Sequence, residues 1–170
     1  MKRLTLTLAA LLVAAMPLSA QTAVQVSNSM NAQEQANLKM VLDWWREVIQ
    51  ARHVELADKY QAETYIQHNP NLPSGRDTFV NFFKTARPPK PVVDHMKMPV
   101  VLITAEGDRV VILSARKVRD RAKPDHVYYI TWFDAFRIDD KGLIAEHWDP
   151  SEMWVDGKPP GAEFFPEWDN

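Results

Sequence analysis

An α+β domain is the fold class that this sequence predicts, with helices first and a mainly antiparallel sheet after them. Two observations carry the prediction. In the first half, Ala36, Met40, Val41, Trp44, Trp45, Val48 and Ile49 recur at helical spacing. In the second half, runs rich in Val, Ile, Tyr, Phe and Trp are separated by short polar turns. The turns are Glu106-Gly107-Asp108, the charged segment 119–125 and Asp139-Asp140-Lys141-Gly142.

Each element has its own signal. Asn31 is placed to cap the first helix, with Glu34 three residues on as the second half of a capping box. A short second helix is expected from His53 to Tyr60, and an extended stretch from Glu63 to His68. Asn69-Pro70-Asn71-Leu72-Pro73 then breaks the chain. A third helix starts near Ser74, holds Phe79, Val80, Phe82 and Phe83, and is stopped by Arg87-Pro88-Pro89-Lys90-Pro91. Strands are expected over 91–106, 109–119, 126–139 and 143–149. Joined by short turns, they form a meander.

The ends of the 170-residue chain read differently. Met1-Lys2-Arg3, an uncharged apolar run to Pro17 and a small residue at Ala20 have the pattern of a secretory signal peptide over residues 1–20. The run is too short for a confident membrane span, so a periplasmic or secreted protein with no membrane partner after cleavage is expected. Residues 21–31 form a polar lead-in, 32–155 the domain, and 156–170 an aromatic and proline-rich extension. With Met153 and Trp154 before it, that stretch is apolar enough to wrap over the sheet, the pocket mouth or a partner subunit.

Composition narrows the function. Cleavage would take the formal charge from −2 to −4, and no basic stripe suited to nucleic acid remains. The cluster Arg116, Lys117, Arg119, Arg121 and Lys123 is interleaved with acids and reads as a solvated strand end. With no cysteine, thiolate catalysis, disulfides and Cys-bound zinc are excluded.

Proton-transfer candidates concentrate in the last strand. His147 and Asp149 are two residues apart and share a strand face with Leu143 and Ala145. An imidazole beside a carboxylate can move protons near neutral pH. The alternative is a solvent-facing pair at the sheet's end. Asp134 shares a face with Trp132 and Phe136, where a carboxylate is costly unless it is functional or ion-paired. His68 precedes Asn69-Pro70 and is either a base or substrate hydrogen-bonder, or a turn cap. Trp44, Tyr65, Tyr128 and Trp132 are candidate substrate-binding walls, with core packing as the alternative. His68, His147 and Asp149 could form a two-His, one-carboxylate metal site if they converge, but no local ligand spacing supports one, and no metal or cofactor is expected.

Tyr65-Ile66-Gln67-His68-Asn69-Pro70, the Gly75 to Phe83 helix, Glu106-Gly107-Asp108, Asp134-Ala135-Phe136-Arg137 and Gly142 through Asp149 resemble the SnoaL-like group of the nuclear-transport-factor-2-like superfamily. The resemblance covers roughly residues 32–155. It implies a cone-shaped α+β barrel, an NTF2-like fold in which three helices close a curved sheet over a deep apolar cavity, and a homodimer. In that fold the His68 turn lies at the pocket rim. This chain departs from many relatives in reading Val110-Val111-Ile112-Leu113-Ser114 where they carry a His. The function expected is a cofactor-independent lyase, isomerase or cyclase of aldol or retro-aldol type, acting on a small, apolar, possibly aromatic substrate. His147, oriented by Asp149, would be the base, and His68 or Asp134 would donate to the developing oxyanion. A non-catalytic periplasmic binding protein and an assembly role through a sheet-face dimer are the alternatives.

Overall fold

A computed structural model describes residues 30–84, 88–120 and 122–151, with the backbone of 162–164. The expected signal peptide, nearly all of the lead-in and most of the C-terminal extension lie outside the described residues.

The capping box forms as the sequence dictates. The Asn31 side chain accepts from the Glu34 amide at 3.0 Å, and Glu34 accepts from the Asn31 amide at 2.9 Å. It starts α1 (Ala32–Trp44), which runs into a π-helical segment, Trp45–Gln50. There the Ala51 amide reaches back five residues to the Arg46 carbonyl at 3.0 Å. A 3₁₀ turn (Val54–Leu56) and α2 (Ala57–Tyr60) lead into β1 (Gln61–Gln67). The Gly75 amide bonds the Tyr65 carbonyl at 2.7 Å, with Gly75 at φ 102°, and so folds α3 (Arg76–Lys84) back against β1.

The strands are β2 (Val100–Glu106), β3 (Arg109–Asp120), β4 (Val127–Ile138) and β5 (Ile144–Trp148). They form the expected antiparallel meander. β1 joins it in parallel beside β5, giving the order β1-β5-β4-β3-β2. This is the α+β fold expected from the sequence, with helices on one face of a mixed, mainly antiparallel sheet. Val41, Trp44 and Val48 of the helical layer and Val110, Ile112, Phe136 and Ile144 of the sheet are all buried between the layers.

One strand is shorter than the sequence suggests. Residues 91–99 do not join β2. They are held against the π segment instead: Gln50 donates to the His95 carbonyl at 3.1 Å and accepts from the Lys97 amide at 2.7 Å. A buried glutamine amide meets its hydrogen-bonding needs there, and Pro91 has no N–H to give a ladder.

The extension contributes a short strand, β6 (Ala162–Phe164), antiparallel to Val118–Asp120 of β3. β2 pairs with β3 only as far as Ser114, so β6 takes up the same edge further along.

Candidate functional site

Strand parity builds the site. On β4, Trp132, Asp134, Phe136 and Ile138 alternate toward the helices, while Thr131 and Phe133 are exposed on the other side. Ser114 pairs with Trp132, Ile112 with Asp134, and Phe136 with His147 across to β5. A cavity of about 330 Å³ opens between this inner sheet face and the helices. Its apolar wall includes Trp44, Trp45, Ile49 and Phe79, and its polar wall Gln67, Asn69, Arg116, Asp134, His147 and Asp149.

His147 is 7% exposed and lies flat against Phe136, with ring centroids 4.7 Å apart. Its Nε2 faces Asp134 Oδ1 at 3.3 Å, and its Nδ1 faces Gln67 Nε2 at 3.1 Å. Since Gln67 donates, Nδ1 accepts and the Nε2 proton points at Asp134; this tautomer is assigned from the hydrogen-bond network. Arg116 donates to the other oxygen of Asp134 at 3.2 Å. Its guanidinium lies 4.4 Å from the Trp132 ring centroid and 6.0 Å from that of Trp45. Gln67, His147, Asp134 and Arg116 therefore form one continuous polar chain across four strands.

Asp149 stands beside this chain. Oδ2 accepts from Asn69 at 3.1 Å, while Oδ1 is buried without a hydrogen-bond partner. Burial pushes its carboxyl above the usual carboxylate range, against the opposing pull of His147 and Asn69. Tyr65 is fully buried against Phe79, and its hydroxyl has no partner. Burial, with the charges of Asp149 and Asp134, keeps that hydroxyl protonated well above its ordinary value.

The structure redistributes the predicted residues. Asp134, His147 and Asp149 converge on the cavity. His68 does not. Gln67 pairs with His147 and shares its side of the sheet, so the next residue projects the other way. His68 Nε2 meets Glu146 at 2.8 Å, and its ring stacks on Trp148 with centroids 4.4 Å apart, on the outer face. The expected pairing of two imidazoles in one pocket is thus corrected, and His68, His147 and Asp149 do not converge as metal ligands. The carboxylate bonded to His147 is Asp134, not Asp149, because Phe136 lies directly opposite His147 and brings its strand neighbours within reach.

Of the four candidate walls, Trp44 lines the cavity. Tyr65 is core, Trp132 packs under Arg116, and Tyr128 lies further along β4 against His126, at 5.1 Å between centroids. The sequence reading missed Arg116, Gln67, Asn69 and Trp45. Arg116 was expected in a solvated cluster. Its parity with Val110, Ile112 and Ser114, all buried, was the available signal that it faces inward.

The sequence profile of the SnoaL-like domain matches residues 41–147. No curated protein matches the chain. Solved structures with a similar chain path include a protein described as a "putative polyketide cyclase" from Acidithiobacillus ferrooxidans. It is 18% identical, with 71% of this chain and 90% of that one covered at a TM-score of 0.48. An LEH-like epoxide hydrolase from M. tuberculosis is 13% identical, with 69% and 83% covered and a TM-score of 0.48. An NTF2-like protein of unknown function from Burkholderia pseudomallei is 16% identical, with 68% and 89% covered and a TM-score of 0.48. The profile match runs from the last turn of α1 through the meander to His147, and on it the chain belongs to the SnoaL-like domain family.

Proposed function

We propose that the protein is a cofactor-independent lyase, isomerase or cyclase that removes a proton next to a carbonyl of a small, largely apolar substrate. One observation carries the reading: a buried carboxylate oxygen without a partner, Asp149 Oδ1, belongs to a residue on the polar wall of the cavity, across from an apolar one. Asp149 is the base. Its raised affinity for protons brings it nearer to the acidity of a working acid–base group. The carboxylate takes the proton, and the C–H electron pair moves into the carbonyl system as an enolate. The proton then returns to another carbon, or the enolate attacks an electrophilic carbon, which is the aldol outcome. The chain from Gln67 through His147 and Asp134 to Arg116 holds the neighbouring charges in place.

Deuterium uptake tests the reading without knowledge of the substrate. Small aryl ketones are incubated with the protein in D₂O and exchange at the α-carbon is followed by NMR. Exchange above buffer in the wild type, lost in Asp149→Asn, is expected. Absence of exchange in every ketone that binds would overturn it.

A non-catalytic carrier for an apolar ligand is the second reading. It is favoured by the fact that both nitrogens of His147 and both oxygens of Asp134 are already hydrogen-bonded. A carrier binds the same ketones and exchanges none of them. With either reading go export, directed by residues 1–20, and a homodimer. The dimer would use the outer sheet face, where Leu102, Tyr129 and Phe133 are exposed; sedimentation velocity of the mature chain reads its state.

A further inference from the structure

We infer that the indole N–H groups of Trp44 and Trp45 are hydrogen-bond donors for an acceptor oxygen of the ligand, and so select carbonyl-bearing molecules over hydrocarbons of the same shape. The inference rests on the cavity being a ligand site, as proposed above, and adds the residues that choose among ligands.

Trp44 and Trp45 are consecutive, and both line the cavity. Each is 2% exposed. Each carries a buried Nε1–H without a hydrogen-bond partner. A buried donor left unpaired is destabilising, and an indole N–H can only donate. Both belong to residues of one cavity wall, where a ligand can bring the acceptor they lack. Neither ring is free to turn away. Trp44 is packed edge-on against Phe136 at 5.4 Å and Trp45 at 6.0 Å, and Trp45 lies beside the Arg116 guanidinium.

The backbone is part of the argument. The two tryptophans straddle the junction where α1 gives way to the π segment. Neighbours on an α-helix point about 100° apart, so one of two large rings usually leaves the buried face. Here both stay inside, and the change of register begins between them. A single π turn within a helix is uncommon and recurs at binding sites.

The opposite chemistry is also present. Asp149 Oδ1 is an acceptor without a donor. A carbonyl oxygen matches the indoles but not this carboxylate, so the carbonyl is held at the tryptophan side. When a proton is taken by Asp149, charge develops on that oxygen, toward two donors in a water-poor site.

The test uses two non-reacting probes, naphthalene and 1-naphthaldehyde, which share a ring system and lack α-hydrogens. Their affinities are measured by equilibrium dialysis with the wild type, Trp44→Phe and Trp45→Phe. In the wild type the aldehyde is expected to bind about tenfold tighter, the size of one or two modest hydrogen bonds. The aldehyde-to-hydrocarbon ratio should fall toward one in the variants, and the ratio cancels the loss of ring volume that both probes feel. A second reading avoids substitution. In ¹⁵N-labelled wild-type protein, the indole N–H signals of Trp44 and Trp45 should move downfield with the aldehyde and not with naphthalene.

An unchanged ratio in both variants, or equal indole shifts with both probes, would overturn the inference. If ketone exchange by Asp149 persisted alongside that result, only the tryptophan role would fall. If neither probe bound at all, both the ligand site and the selection by tryptophan would fall together.

Discussion

The Nε2 of His147 and the Oδ1 of Asp134 face each other at 3.3 Å across adjacent antiparallel strands, and neither group is exposed to bulk water. The contact fixes which nitrogen of the ring carries the proton. It also places Asp134 between the imidazole and the Arg116 guanidinium, so each of its two oxygens accepts a hydrogen bond.

Protein ¹⁵N NMR should therefore show His147 as a single neutral tautomer with the proton on Nε2. Gln67→Leu removes the donor to Nδ1. Asp134 still accepts from Nε2 in that variant, so the same tautomer should persist, and signals averaged over both nitrogens in the wild type would contradict the assignment.

Asp134→Ala leaves Arg116 partly buried without this carboxylate. A loss of about 3 kcal/mol in unfolding free energy is expected from urea titration, in line with other buried pairs broken on one side. Asp134→Asn, which keeps the shape and one acceptor, should cost less.

Asp149→Asn should lower turnover by about 10²- to 10⁴-fold while the fold persists. The wild-type rate should decline on acidification through a point above 3.8, the ordinary value, because burial raises this carboxyl. Stability responds with the opposite preference. The folded state holds this proton more tightly than the unfolded chain, so above its folded pKa the buried charge works against folding. The Asn variant should therefore unfold at a higher temperature than the wild type at pH 7, and the gap should close as the pH approaches 3.8.

His68→Ala should leave turnover within about threefold, since its ring lies on the far side of the sheet. Its pair with Glu146 is partly exposed, and about 1 kcal/mol or less should be lost. Together with Arg137, His68 holds the Glu146 carboxyl below its ordinary 4.5. That stabilisation is present at neutral pH and fades as pH falls through the lowered value, so wild type and variant should converge in acid. A large loss of turnover would return His68 to the candidate catalytic groups.

Much of this arrangement is legible in the residues. Alternation along β4 and β5 puts Asp134 and His147 on faces shared with apolar neighbours, and the capping box marks the start of α1. What alternation does not supply is how one strand lies against another. The side of the sheet on which His68 projects depends on the pairing of Gln67 with His147, a parallel contact with no turn to set its register. The same dependence hid Gln67 and Asn69. Arg116 was obscured by its charged neighbours, because a run of basic residues looks solvated until every second one is followed separately. The π segment left no periodic signature distinct from an ordinary helix end.

The parallel contact between the first and last main strands also sets an order of events during folding. The bonds from Gln67 to His147, Asn69 to Asp149 and Asn71 to Ser151 each join residues 80 apart in the chain. Closing so long a segment has an entropic cost that local helices and hairpins do not meet. A growing polypeptide can build α1 and the hairpins early, yet it has no complete hollow until Ile144 to Ser151 arrive. Every shortened product of synthesis or proteolysis that lacks those eight residues also lacks the polar wall that His147 and Asp149 give the hollow.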